Sequence, residues 1–236
     1  MESESEKERR AALAERAVSI YSPSGEESEF ASFLFFELRE RSLKPRIDGA
    51  GNVIAEVGTG EPSLLLCGHM DTVPGELEVK RVGNILQGRG ACDAKGALLS
   101  MLFAFEDIAL EVNGIPQIGK VIFAAVVEEE TTSFGLKELL RKNLRADAAI
   151  FGEPGGAGKV TIGYRGHIPV AIEVQTEDAH ASAPWLAVNS AEQAYSIYNR
   201  AKDTWPVDAL HLFEFRRDLG CWKRRIDRQE ADCVCL

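Results

Sequence analysis

Five short stretches place acids and imidazoles where chemistry could be done. The apolar run Leu64 to Cys67 leads into Gly68-His69-Met70-Asp71, and a strand's two-residue period puts His69 and Asp71 on one side. A carboxylate so placed can hold the second ring nitrogen of a metal-bound imidazole and fix its tautomer. Asp93, inside Gly88-Arg89-Gly90-Ala91-Cys92-Asp93-Ala94-Lys95-Gly96, stands at the mouth of a helical pattern, and its two oxygens could bridge two ions. The apolar run Val121 to Val127 ends in Glu128-Glu129-Glu130, adjacent acids whose repulsion beside a core calls for a cation. Ala148 to Phe151 ends in Gly152-Glu153-Pro154, another carboxylate at a strand end, and Asp178-Ala179-His180-Ala181-Ser182 adds a second imidazole.

Polar residues closing apolar strands belong at the carboxyl edge of a parallel sheet, where α/β folds place their ligands. The surrounding pattern supplies such a sheet. A charged helical start is followed by a Ser22-Pro23-Ser24-Gly25 turn and a helix with Phe30, Phe33, Leu34 and Leu38 on one face. Asn52 to Val57 reads as one arm of a hairpin after Gly49-Ala50-Gly51. Leu64 to Cys67, Val121 to Val127 and Ala148 to Phe151 read as strands buried on both faces. Leu98, Met101, Leu102, Phe105 and Ile108 form a helical stripe, and 135–141 a shorter helix. Alternating strands and helices predict an α/β fold with a largely parallel sheet over residues 1–160. From about residue 159 the pattern changes to two strands and a helix capped by Asn189 with Glu192 at the box position, a second, α+β unit over 161–215. The tail, 216–236, has no apolar period and carries Arg, Trp and Cys unlike the text before it. It reads as foreign to the fold, the product of a truncation or frameshift.

Composition narrows the functional classes. Asp and Glu outnumber Lys and Arg by 37 to 27, a formal charge of -10, which disfavours nucleic acid or an anionic membrane as partner. No secretory leader or bilayer-spanning run is evident, and the five cysteines suggest no disulfide framework, so a reducing cytoplasm is expected. Competing motifs fail: Gly88 and Gly90 begin a dinucleotide loop whose third glycine position is Asp93, and Gly158-Lys159 lacks the rest of a phosphate loop. Cys67 and Cys92 read as packing, His167 and His211 as surface or satisfied core residues.

Taken together, GHMDTVPG, GRGACDAKG, VVEEETTSFG, FGEP and GYRG…DAHASAP resemble the zinc amidohydrolase and peptidase family of acetylornithine deacetylase and succinyl-diaminopimelate desuccinylase, over roughly residues 5 to 210. EEE, IFGEP and VTIGYRG are most similar to its archaeal and Thermus-type members, which release lysine or ornithine from the amino-group carrier protein LysW. The resemblance implies a zinc-peptidase-like three-layer catalytic domain, an incomplete dimerisation (lid) domain and a homodimer. It implies two zinc ions per full-length subunit, or cobalt, and as substrate a small acylated amino acid or LysW carrying one; the alternatives are a deacetylase or desuccinylase of N-acyl amino acids, or an inactive fragment. His69 and Glu153 would bind one metal, Asp93 would bridge both, through a cis peptide to Ala94, and Asp71 would orient His69. Glu129 would be the general base and Glu130 a ligand of the second metal, with Glu128 and Glu129 as the other register. His180 would stabilise the oxyanion across the dimer, and Arg165 and Asn189 would hold substrate. The family's last histidine ligand of the second metal has no counterpart here, so that site is expected to be incomplete.

Overall fold

A computed structural model describes residues 3–111, 119–156, 158–163, 172–177, 185, 188–204, 214–215 and 233–234. The chain divides into two compact units, Met1–Ile162 and Gly163–Leu236.

In the first unit, α1 (Glu4–Ser19) starts at Ser3, whose hydroxyl accepts from the Glu6 amide, with Glu4 and Glu6 in its first turn and Arg16 in its last, complementing the helix dipole. It buries Leu13, Ala17 and Val18. α2 (Ser28–Glu40) buries Phe30, Ala31, Leu34 and Leu38 at helical spacing. β1 (Arg46–Ile47) and β2 (Val53–Gly58) form the expected hairpin, closed by Asp48, whose carboxylate accepts from the amides of Ala50 and Asn52. β3 (Ser63–His69) comes next, then a small hairpin of β4 (Lys80–Val82) and β5 (Ile85–Gln87). The unit ends with α3 (Lys95–Glu111), β6 (Lys120–Val126), α4 (Phe134–Arg141) and β7 (Ala148–Phe151).

Five of these strands make one mixed sheet in the order β1-β2-β6-β3-β7. β6, β3 and β7 are mutually parallel, and the β1–β2 hairpin adds to β6 antiparallel. Alternation sorts the side chains into two layers. Val53, Ala55, Leu66, Val121, Phe123 and Ala125 meet α1, α2 and α3, while Ile54, Leu65, Cys67, Ile122, Ala124 and Val126 meet Leu139 of α4. This is a helix–sheet–helix sandwich with its core on both faces of β3 and β6. Buried in this way, each large side chain contributes about 1.5–3 kcal/mol.

β7 departs from the sequence expectation. Its register with β3 is complete, yet all four of its residues are exposed, with Ile150 and Phe151 about half so. It is the sheet's edge, and its faces are covered only in part. The apolar composition that reads as two-sided burial is thus open here.

In the second unit α5 (Ser190–Thr204) is capped as expected, the Asn189 side-chain oxygen accepting from the amides of Ala191 and Glu192. The two strands expected before it include residues outside the described set, and 158–163 and 172–177 carry no strand. Glu214–Phe215 and Cys233–Val234 pair as a two-residue antiparallel ladder. Among the described residues no helix is long and apolar enough to cross a membrane.

Candidate metal centre

His69 is the last residue of β3, and Val126 at the end of the neighbouring parallel β6 is its register partner. β3 and β6 run parallel and in register, so the residues beyond each strand end are delivered to the same edge. Two glycines let α3 lie close to that edge: a Cβ at Gly68 or Gly152 would meet the Met101 methyl at 2.7 or 2.4 Å. Asp93, two residues before α3, is thereby brought over the end of β3.

The imidazole of His69 is 1% exposed. Its Nδ1 lies 2.9 Å from the Asp71 carbonyl oxygen and 3.3 Å from an Asp71 carboxylate oxygen. Both partners can only accept, so Nδ1 carries a proton, and Nε2 is the ring nitrogen that faces the cluster. Nε2 lies 3.2 Å from an Asp93 oxygen and 4.0 Å from a Glu129 oxygen. His69, Asp93 and Glu153 each offer one donor atom, all within 4.8 Å of one another, the geometry of a metal-binding triad. The Asp93–Ala94 peptide bond is cis. Asp93 and Glu129 are 54% and 43% exposed, so the site opens to solvent on the side away from His69.

Asp71 is the junction of this edge. Fully buried, its carboxylate accepts from the Ser24 hydroxyl at 2.7 Å and from the amides of Glu129 and Glu130 at 3.0 Å each, besides facing His69. Burial alone would raise its pKa, but the bonds from His69, Ser24 and the two amides outweigh it and hold the carboxyl at about 2. By donating to Asp71, the amides of Glu129 and Glu130 fix the reversal after β6. Glu128 is turned elsewhere: its φ is +54°, its amide donates to Glu27, and its carboxylate accepts from the Thr132 hydroxyl at 2.7 Å.

The electrostatics describe an anion surplus. Burial and the charges of neighbouring acids push Glu130 and Glu153 above the ordinary carboxylate range, with Asp93 among the neighbours of each. Burial disfavours a charged His69, yet Asp71, Glu153 and Glu129 together raise its pKa to about 9. Without a cation, a second ring proton relieves the repulsion. A divalent ion at Nε2 would take that proton's place, and the donor set of one imidazole and several carboxylates fits such an ion.

Two further titratable groups lie close by. Burial, with the charge of Glu153, pushes the Cys67 thiol up to about 12, in keeping with a packing role. Lys95 is 1% exposed, with Nζ bonded to the Ala17 and Ile20 carbonyls at the end of α1 and 4.3 Å from the Phe30 ring centre. Burial, countered only by Glu29, pushes its amine down to about 8. Neither Lys95 nor Ser24 stands out in the sequence as part of the site. The only trace is the serine pair Ser22 and Ser24 at strand spacing around Pro23.

Of the residues expected to act here, His69, Asp71, Asp93, Glu129, Glu130 and Glu153 converge at one sheet edge. His180 and Arg165 lie outside the described residues. Asn189 belongs to the second unit, and its side-chain oxygen is engaged in capping α5.

The chain is similar to known proteins. A family model described as Peptidase family M20/M25/M40 matches residues 65–211. The chain is 45% identical over 166 residues to a Pyrococcus abyssi protein named "Putative LysW-lysine/LysW-ornithine hydrolase", an alignment covering 70% of this chain and 46% of that one. It is 36% identical over 171 residues to the LysW-lysine hydrolase of Deinococcus radiodurans, covering 72% and 46%. The chain thus spans about half the length of these curated relatives. A tripeptidase structure from Staphylococcus aureus superposes with a TM-score of 0.58 at 23% identity, over 82% of this chain and 56% of that one, a likeness of fold.

Proposed function

The chain belongs to peptidase family M20/M25/M40, and from that premise we propose that it carries the metal-binding part of a zinc-dependent amidohydrolase that releases lysine or ornithine from the carrier protein LysW. The convergence of His69, Asp93 and Glu153 within 4.8 Å carries the metal reading. The names of the relatives support the substrate.

In this reading His69, Asp93 and Glu153 would hold one ion, and Asp93 with Glu130 would serve a second. Zinc suits these nitrogen and oxygen donors, and cobalt is accepted by the same set. Bound zinc would polarise the scissile carbonyl and make an attacking water more acidic. Asp71 keeps the His69 proton on Nδ1, so that Nε2 stays a donor. Glu129, fixed through its amide and open to solvent, takes the proton of the attacking water and returns it to the departing amine. The family resemblance would give the developing oxyanion to a His180 reaching across a dimer, and would give Arg165 and Asn189 a part in holding substrate.

The test is amino-acid release by the zinc-loaded chain from LysW-lysine, with N-acetylornithine as comparator. Faster release from the LysW conjugate, abolished by a chelator, is expected. Faster cleavage of N-acetylornithine would replace the carrier assignment with a small-molecule deacylase, and hydrolysis of neither would refute the activity.

A further inference from the structure

The turn between α1 and α2 reaches the site from outside the sheet. Ser22 is buried; its hydroxyl donates to the Met70 carbonyl at 2.8 Å, and its own carbonyl accepts from the Thr72 amide at 2.9 Å. Pro23 makes a parallel bridge to Thr72, so the segment runs like a short extra strand beside the chain that bears Asp71. Ser24 then donates to an Asp71 oxygen at 2.7 Å. Three residues on, the buried carboxylate of Glu27 accepts from the Glu128 amide at 2.9 Å.

We propose that the Ser22–Glu27 turn is the positioning element of the metal centre, acting through Ser24 on Asp71 and through Glu27 on the reversal that carries Glu129 and Glu130. The inference rests on the metal reading above. Ser24 supplies the bond to Asp71 from a separate part of the chain. The remaining donors to Asp71 are His69 and the two amides that Asp71 itself must hold. Without the hydroxyl, the carboxylate keeps only the groups that it must itself hold, so the His69 ring and the two amides lose their outside anchor together. Glu27 acts on the other arm. Glu128 is in the left-handed region, unfavourable for a residue with a Cβ, and its buried carboxylate partner offsets that cost. Both contacts act on groups that face the ion and not on the ion itself.

The experiment measures zinc affinity by competition with a chromophoric chelator, alongside thermal unfolding of the metal-free protein. Ser24→Ala and Glu27→Ala should each weaken zinc binding by roughly 10- to 100-fold, the usual effect of removing a partner of a metal ligand. The metal-free variants should still unfold cooperatively, with a melting temperature that falls only modestly and stays well above that of the binding assay. Ser24→Thr and Glu27→Gln, which keep the hydroxyl and an accepting oxygen, should restore affinity. Unchanged affinity in both alanine variants would overturn the proposal, as would weakening that the conservative variants fail to rescue. If Ser24→Ala does not fold, Glu27→Ala and its rescue decide the matter alone. A wild-type chain that binds no zinc would instead overturn the metal reading and this inference with it.

Discussion

At the scale of residues, the site is a problem of charge. His69 and Asp71 are sealed within the protein, and Asp93, Glu129, Glu130 and Glu153 crowd around one ring nitrogen. Like charges so placed persist when an ion compensates them. In the proposed mechanism Glu129 takes the proton transfer that the family resemblance implies for it, and its carboxylate is open to solvent while its amide is tied to Asp71. Glu129→Gln keeps the shape and removes the base. It should leave zinc content unchanged and lower kcat by about 10²–10⁴-fold; amino-acid release and elemental analysis on one preparation check both. A mutant with wild-type turnover would move the base elsewhere. The residues that end apolar strands were legible in the sequence, since acids directly after Val121 to Val127 are held at the rim of a core, where repulsion is costly without a cation. Ser24, Glu27 and Lys95 were not. Their partners lie 47, 101 and 75 to 78 positions away, and a hydrogen bond across such a distance leaves no period to read.

At the scale of elements, the site depends on how the chain leaves β6. Fully buried Asn52 joins three elements: its side-chain oxygen accepts from the Val127 amide at 3.1 Å, and its amide donates to the Gly135 carbonyl at 3.0 Å and to Asp48 at 3.2 Å. Gly135 packs against the same junction, where a Cβ would meet the Val127 backbone at 2.6 Å. Asn52→Ala leaves the buried Val127 amide without its partner and takes from the Gly135 carbonyl the bond it has beyond its own helix. It should cost about 1–3 kcal/mol, the penalty of one orphaned buried group, read from urea unfolding of the metal-free protein; a loss below about 0.5 kcal/mol would mean the junction is not needed. The buried strands and amphipathic helices were readable because one period sets both burial and sequence. The β4–β5 hairpin was missed, although Gly83-Asn84 is a turn signal, because its flanking strands are only three residues long and Val82 and Ile85 stay exposed. The openness of β7 could not be read either, since composition reports what a strand can bury and not what lies beside it.

At the scale of the whole molecule, the six converging residues belong to the unit Met1–Ile162, so the metal centre is testable as a property of that unit. The helix–sheet–helix packing that builds the unit also delivers three strand ends and the start of α3 to one edge, where the proposed ion would sit. The direct measurement is zinc per chain, by elemental mass spectrometry on monodisperse protein dialysed against a weak chelator, for wild type and His69→Ala. About one tightly held zinc per chain is expected, lost in His69→Ala, since an imidazole and two carboxylates make one good site and leave the second short of ligands. Wild-type protein that retains no zinc, or His69→Ala protein that retains as much as wild type, would contradict a metal centre at this edge.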